Sequence, residues 1–313
     1  TLSGGADFPI DKVVPEIAYS FNYITDKILY QPKFLTMGGF YDTDLSAEGS
    51  MTQAMKKLSL ERQDCLALID LPQLLDPDEQ QIQAGQASYQ QVSDSQPIEA
   101  AAVFAPWQYM QVGTSQLWMP ASYAYLTTVG SALSKGEKVY RPKAGLASGQ
   151  ITNIIRPEFE IGSDLAERWQ SDTDVQLNPI MRLQGSRFVI AGNSTLLRPE
   201  SNGGEENAFS ELSSTMSVIE IRRFVYNLAT ELQYQYNSAT AFETFAVKAG
   251  NFLDGMISDG AITKYDITNI STNSEPRKLK IKLDVYITPT IKYIDIFLNI
   301  SYGSIEMNVG GEA

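Results

Sequence analysis

The chain has 313 residues, room for about two domains, and its composition, 43% hydrophobic and 19% charged, is that of a globular protein. With 37 acidic and 24 basic residues, and a formal charge of −13, it repels phosphate backbones, so a nucleic-acid partner is not expected without a concentrated basic patch. The absence of histidine and the presence of one cysteine exclude Ser–His and Cys–His nucleophile pairs, histidine-ligated metals and a disulfide within the chain.

No apolar run approaches the roughly 18 residues that span a bilayer, and no signal-peptide pattern opens the sequence. The expectation is a soluble protein without membrane insertion. A first residue of Thr1 rather than Met reads as a processed chain or a fragment of a longer one.

Residues 1–45 form an entry segment punctuated by Pro9, Pro15 and Pro32, in which 17–30 suits either a helix or a buried strand. From residue 46 the pattern is regular. A helix is expected near 47–62. The run 64–72 follows, nearly all apolar and closed by Leu71-Pro72, as in a strand buried on both faces. Cys65 lies in it and reads as a buried, inert thiol. Asp76 and Glu79 mark a helix to about Val92. A second apolar strand, 100–105, ends at Pro106-Trp107, and Pro120 opens a helix to about Leu133. Strand and helix alternating at this spacing argue for an α/β core domain over 46–212 with parallel neighbours. Within it, 142–149 reads as a loop, 176–182 and 187–191 as strands, and 199–207 as an exposed loop.

The remainder, 213–313, reads as a C-terminal α+β module of two helices on a small mixed sheet. Val218, Ile221, Val225, Leu228 and Leu232 fall on one helical stripe, with Ser217 and Glu220 spaced as a capping box at its start. Thr240 and Glu243 repeat that spacing before Phe242, Phe245, Ala249, Phe252, Leu253 and Met256, and Gly260 ends the second helix. The period then becomes two. A strand over 261–269 is followed by Leu279, Ile281, Leu283, Val285 and Ile287, which alternate with Lys278, Lys280, Lys282, Asp284 and Tyr286. A last run places Ile294, Ile296, Leu298 and Ile300 on one face.

The search for chemistry returns nothing specific: no catalytic residues, no metal site and no cofactor are expected. Neither G-x-G-x-x-G nor G-x-x-x-x-G-K-[ST] occurs. The pairs Asp42/Asp44, Asp76/Asp78 and Asp172/Asp174 lie among turn residues and read as solvated loop or cap carboxylates. Gly192-Asn193-Ser194 is an incomplete nucleophile elbow.

Several short stretches, in order, resemble the contractile tail sheath family of myovirus sheaths, R-type pyocin sheaths and related injection systems. Asp64 to Pro72 resembles the family's buried strand ending in D-L-P, Ala105-Pro106-Trp107 its aromatic-proline step, and Met119-Pro120-Ala121-Ser122 its P-P-S turn. Asn178-Pro179-Ile180 resembles its N-P-I element and Ala191-Gly192-Asn193-Ser194-Thr195-Leu196 its W-G-x-R-T-L. Ala191 and Ser194 replace the usual Trp and Arg, so that motif speaks to topology rather than to side-chain roles. Arg222-Arg223-Phe224, Gly260-Ala261, Ile287-Thr288-Pro289 and Ile294-Asp295-Ile296 complete the series. The divergence suits the sheath of a giant phage, with this chain a core fragment.

The resemblance implies a non-enzymatic structural protein of a virion tail, assembled in the host cytoplasm. Such sheaths polymerise as stacked hexameric rings around an inner tail tube, meet a baseplate, and contract to drive the tube through a cell envelope for genome ejection. In the family, terminal arms add strands to a neighbour's closing sheet, a β-augmentation that links subunits through main-chain hydrogen bonds. Candidate subunit-interface residues are Arg222, Arg223, Lys278, Lys280, Lys282, Ile294, Ile296 and Leu298; candidate tube-facing residues are Glu243, Lys248 and Asp254. The fragment itself is expected to be monomeric or weakly associated. The alternative is a hydrolase or carbohydrate-binding protein with an acidic cleft, which requires a pocket with converging carboxylates of raised pKa.

Overall fold

The computed structural model describes residues 10–42, 47, 49–74, 100–170, 176–183, 187–197, 207–272 and 277–291. The expected helix at 76–92, most of the loop at 199–207, and the last run with Ile294, Ile296 and Leu298 lie outside them, as do Asp44, Asp76, Asp78, Asp172 and Asp174.

Of the ambiguous stretch 17–30 only the first half is helical: α1 spans Ile10–Ser20 and continues into a 3-10 turn at Phe21–Tyr23, whereas 24–30 forms turns and is neither helix nor strand. Val14, Ala18 and Phe21 recur at helical spacing and are buried. After β1 (Phe34–Thr36), helix α2 runs over Met51–Arg62. Its start is doubly capped: Ser50 accepts from the Gln53 amide at 3.2 Å, and buried Asp42 accepts from the Met51 and Thr52 amides at 3.0 and 2.8 Å. The first-turn donors of a helix have no intrahelical acceptors, so these bonds fix where α2 begins.

Strands β2 (Leu66–Asp70) and β3 (Ala101–Ala105) are buried at every position, as near-continuous apolar runs closed by Pro72 and Pro106 predict. A hairpin of β4 (Gln108–Val112) and β5 (Ser115–Met119) leads into α3 (Ala121–Ser134), whose N-cap is Pro120. The expected loop at 142–149 contains a one-turn helix, α4 (Gly145–Ser148). Then come β6 (Gln150–Ile151), β7 (Ile154–Pro157), α5 (Ser163–Trp169), β8 (Asn178–Leu183) and β9 (Arg187–Ile190). The main sheet has the order β1-β2-β3-β8-β9-β6, parallel from β1 to β8 and antiparallel beyond, while β5-β4-β7 form a small antiparallel sheet.

The two-residue period of the strands divides the core. Ala67, Ile69, Ala101, Val103 and Ala105 face α1, α2 and α5, whereas Leu66, Leu68, Ala102 and Phe104 face α3. With both faces covered the sheet is an α/β layer, as its near-continuous apolar strands predict.

The closing elements are α6 (Leu212–Leu232), α7 (Ala239–Ser258), β10 (Ile262–Asn269) and β11 (Ile281–Ile287). Two expectations about helix starts are corrected here. Helix α6 begins five residues before Ser217, which is buried and donates to the Ser213 carbonyl at 3.0 Å instead of capping. The small polar residues Ser213, Ser214, Thr215 and Ser217 lie buried in the first turns of α6, beside Met216 of the core cluster, so they mimic a cap in sequence while serving close packing. Helix α7 has Ser238 at its N-cap, with Thr240 already inside. The apolar stripe on α7 is as read, with Phe245, Ala249, Leu253 and Met256 buried, and Gly260 adopts the left-handed φ of +77° just past its end.

Leu212, Met216, Ile219, Leu253, Met256 and Ile262 belong to the same buried cluster as Leu66, Phe104 and Tyr125. Leu228, Phe245 and Ala249 form a satellite cluster between α6 and α7. Helix α6 is therefore anchored in the α/β layer by its first half and holds α7 with its second.

Candidate functional site

The stretches that carry the family resemblance meet in pairs. Asp70, at the end of β2, accepts from the Ser122 amide at 2.8 Å and the Ser122 hydroxyl at 2.6 Å. The Trp107 indole donates to the Leu71 carbonyl at 2.8 Å. Asn178 donates to the Val103 and Ser194 carbonyls at 3.0 and 2.8 Å and accepts from the Ser194 amide at 2.8 Å. At Gly192, a Cβ would stand 2.8 Å from the Asn178 Cα, so only glycine permits that approach. These residues are scaffold: each satisfies a buried polar group where two segments cross.

Burial pushes the Asp70 carboxyl up to about 7, outweighing the hydrogen bonds from Ser122, which pull it down. A raised carboxyl alone is not an acidic cleft. The roughly 620 Å³ cavity beside the chain leaving β11 has, among the described residues, Glu211 as its one carboxylate, and Glu211 already accepts from the Thr290 amide at 3.2 and 3.1 Å. The roughly 400 Å³ cleft between α2 and α6 is cationic, lined by Lys27, Arg62, Arg222 and Arg223 with Asp64. Among the described residues neither cavity brings two carboxylates together. Among the described residues no group of three or more His, Cys, Asp or Glu could hold a metal ion. Burial, followed by the nearby Asp64 charge, pushes the Cys65 thiol up to about 11, as an inert thiol requires.

The other accessible feature is a sheet edge. Strands β10 and β11 pair antiparallel from Ile262↔Ile287 to Asn269↔Ile281, and among the described residues neither outer edge is paired with a further strand. An edge of this length offers main-chain donors and acceptors over roughly 20–25 Å. One face of the pair rests on α6 and α7 through Ile267, Leu283 and Val285, all half-buried. The other carries Lys264 over the Tyr286 ring at 4.1 Å, and Asp266 directly opposite Asp284.

The candidate residues divide by location. Lys278 and Lys280 precede β11 and are exposed, whereas Lys282, within it, contacts Asp284 at 2.6 Å. On α7, Glu243, Lys248 and Asp254 are exposed; Lys248 pairs with Glu231 of α6 at 2.6 Å, and Asp254 accepts from Tyr265 at 2.9 Å. Arg223 reaches across the chain to the carbonyls of Gln31, Pro32 and Asp64 at 3.0, 3.0 and 3.2 Å, while Arg222 makes a 3.4 Å bond to the Gln63 carbonyl.

Sequence reasoning missed Arg62, the most connected side chain here. It is 2% exposed, grips Asp64 with two nitrogens at 2.8 and 2.9 Å, and donates to the carbonyls of Ile24, Asp26 and Tyr30. An arginine ending a polar helix carries no signal of carbonyls that converge from residues more than thirty positions away.

No family model matches the chain. In sequence it is 20% identical over 294 residues to the tail sheath protein of enterobacteria phage T4, across 88% of this chain and 42% of that protein. The chain thus spans about two-fifths of the length of this curated relative. In structure it superposes with a TM-score of 0.67 and 13% identity on a chain of the PVC sheath complex, an extracellular contractile injection system in its contracted state, covering 86% of this chain and 71% of that one. A chain of the anti-feeding prophage baseplate matches with a TM-score of 0.58 and 12% identity, over 80% of this chain and 66% of that one.

Proposed function

We propose that this chain, which resembles contractile tail sheath proteins in sequence and in fold, is the core of a sheath subunit. The observation that carries the reading is the match to a tail sheath protein across 88% of the chain, supported by a fold that superposes over 86% of the chain on the injection-system sheath. The geometry supports a structural role: among the described residues the two cavities hold no paired carboxylates, and the β10–β11 sheet has no further strand on either edge.

In this reading the subunits stack as hexameric rings around an inner tail tube, above a baseplate, and contract by moving as rigid bodies. The core 46–212 is the body and 213–313 the α+β assembly module. Because α6 is rooted in the core of the α/β layer, a pull on β10 or β11 is transmitted to the whole subunit. A neighbour's arm adds to the open edge by main-chain hydrogen bonds, with Ile294, Ile296 and Leu298 as the exchanged apolar face and Lys278, Lys280 and Lys282 at its rim. Glu243, Lys248 and Asp254 of α7 face the tube. The assembled sheath resides in the virion tail and is built in the host cytoplasm.

The test is electron microscopy of the full-length protein under assembly conditions. Hollow tubes with six-fold rings are expected; monomeric or amorphous material throughout would count decisively against the reading.

A further inference from the structure

The segment 19–31 turns its backbone inward and its large side chains outward. The carbonyls of Ile24, Asp26 and Tyr30 accept from Arg62 at 2.6, 3.2 and 2.8 Å, and that of Gln31 accepts from Arg223 at 3.0 Å. Tyr19, Tyr23, Ile28, Leu29 and Tyr30, by contrast, are 60, 66, 68, 73 and 47% exposed. At about 200 Å² for a large side chain, these five together leave roughly 600 Å² in water along one short segment, near the ~800 Å² per partner of a standard interface. The Tyr19 and Tyr23 rings meet edge to face at 5.7 Å. Three bonds converging on one guanidinium keep residues 24–30 wrapped around a single point.

Charge identifies the occupant. The patch borders the cationic cleft through Lys27 and Gln31, and among the described residues the cleft holds Arg62, Arg222 and Arg223 against the one carboxylate of Asp64. Arg62 and Arg223 are committed to carbonyls of their own chain; Arg222, with one 3.4 Å bond, has donors to spare. Asp26 accepts from the Ile28 and Leu29 amides at 2.7 and 3.1 Å, which hold it ionised; counted with Asp64 it still leaves the four cations Lys27, Arg62, Arg222 and Arg223 in excess by two. A partner must therefore bring apolar surface and carboxylates together. A chain with 37 acidic residues and a charge of −13 is such a partner for itself, and two copies, which repel elsewhere, attract where the local sign is reversed.

We propose that segment 19–31 and the Arg222 side of the adjacent cleft form a docking surface for a second copy of this chain. The inference rests on the sheath reading and deepens it by naming a surface through which subunits meet. The two arginines fix the loop before contact, so little ordering remains to oppose binding.

The test is sedimentation velocity of the 313-residue chain up to roughly 1 mM, in low and high salt, for wild type, the pair Ile28→Ser with Leu29→Ser, and Arg222→Glu. All three substituted side chains reach solvent, and matching thermal melts establish that the variants are folded. Reversible, salt-weakened association of wild type is expected, reduced about 100-fold by the double change at about tenfold per side chain, and reduced with loss of salt dependence by Arg222→Glu. A wild type that stays monomeric throughout, or association that ignores these changes, overturns the proposal. The sheath reading is judged separately by tubes of the full-length protein: tubes that form regardless of these substitutions sink this surface alone, whereas pairing here without tubes sinks the sheath reading alone.

Discussion

Replacing Arg62 with methionine tests how the entry segment is held. Methionine approximates the length of the side chain and removes its charge and donors. Arg62 has a side chain 1% exposed, and its partner Asp64 is 13% exposed, so the substitution leaves a largely buried carboxylate without its counterion. Breaking a buried pair from one side costs about 3–5 kcal/mol. The three loop carbonyls add less to that global figure, because a lifted loop hands them to water; their loss appears locally, as opening of 24–31. Two measurements separate these effects. Urea unfolding should show the global loss, and trypsin should cleave after Lys27 faster in the variant than in wild type. Adding Asp64→Leu to Arg62→Met removes the stranded carboxylate and should recover part of the global stability. It should leave Lys27 just as sensitive, since the carbonyls still lack a donor. A single variant within about 1 kcal/mol of wild type, with unchanged cleavage, would refute the clamp.

Asp70 makes a pH prediction. Its folded carboxyl lies near 7 against an ordinary 3.8, so its stabilising contribution is complete below about pH 4 and is lost as pH rises to 7. Asp70→Asn should flatten stability across that window, and parallel pH profiles for variant and wild type would remove the argument. Cys65, buried with its thiol pushed up to about 11, should react with a thiol reagent at pH 8 only at the rate of unfolding; fast labelling of the native protein would contradict its placement. Lys248→Ala should cost no more than about 1 kcal/mol in a thermal melt, because both partners of its ion pair with Glu231 are half exposed or more.

The readable parts of this chain were those whose neighbours matter least. An all-apolar run between Asp64 and Pro72 is a strand buried on both faces whatever packs against it, and β2 is that strand. The stripe from Phe245 to Met256 and the alternation from Ile281 to Ile287 each state their own buried face. The β4–β5 hairpin went unread although Gly113-Thr114 between Val112 and Ser115 is a two-residue turn signal. The start of α6 was misread because Ser213, Ser214, Thr215 and Ser217 look like loop and cap residues until the sheet beneath them is known.

By itself the sequence determined the classes of element, the alternation that makes an α/β layer, the lack of histidine chemistry and the order of short stretches that resemble a sheath. Those follow from local periodicity and composition, which need no knowledge of distant residues. Only the tertiary structure decided that Asp70 meets Ser122, that Asn178 meets Ser194, and that one arginine on α2 and one on α6 hold the carbonyls of 24–32. Those bonds join segments 16 to 192 positions apart, and a hydrogen bond depends on the position and direction of both ends, which only the folded chain supplies.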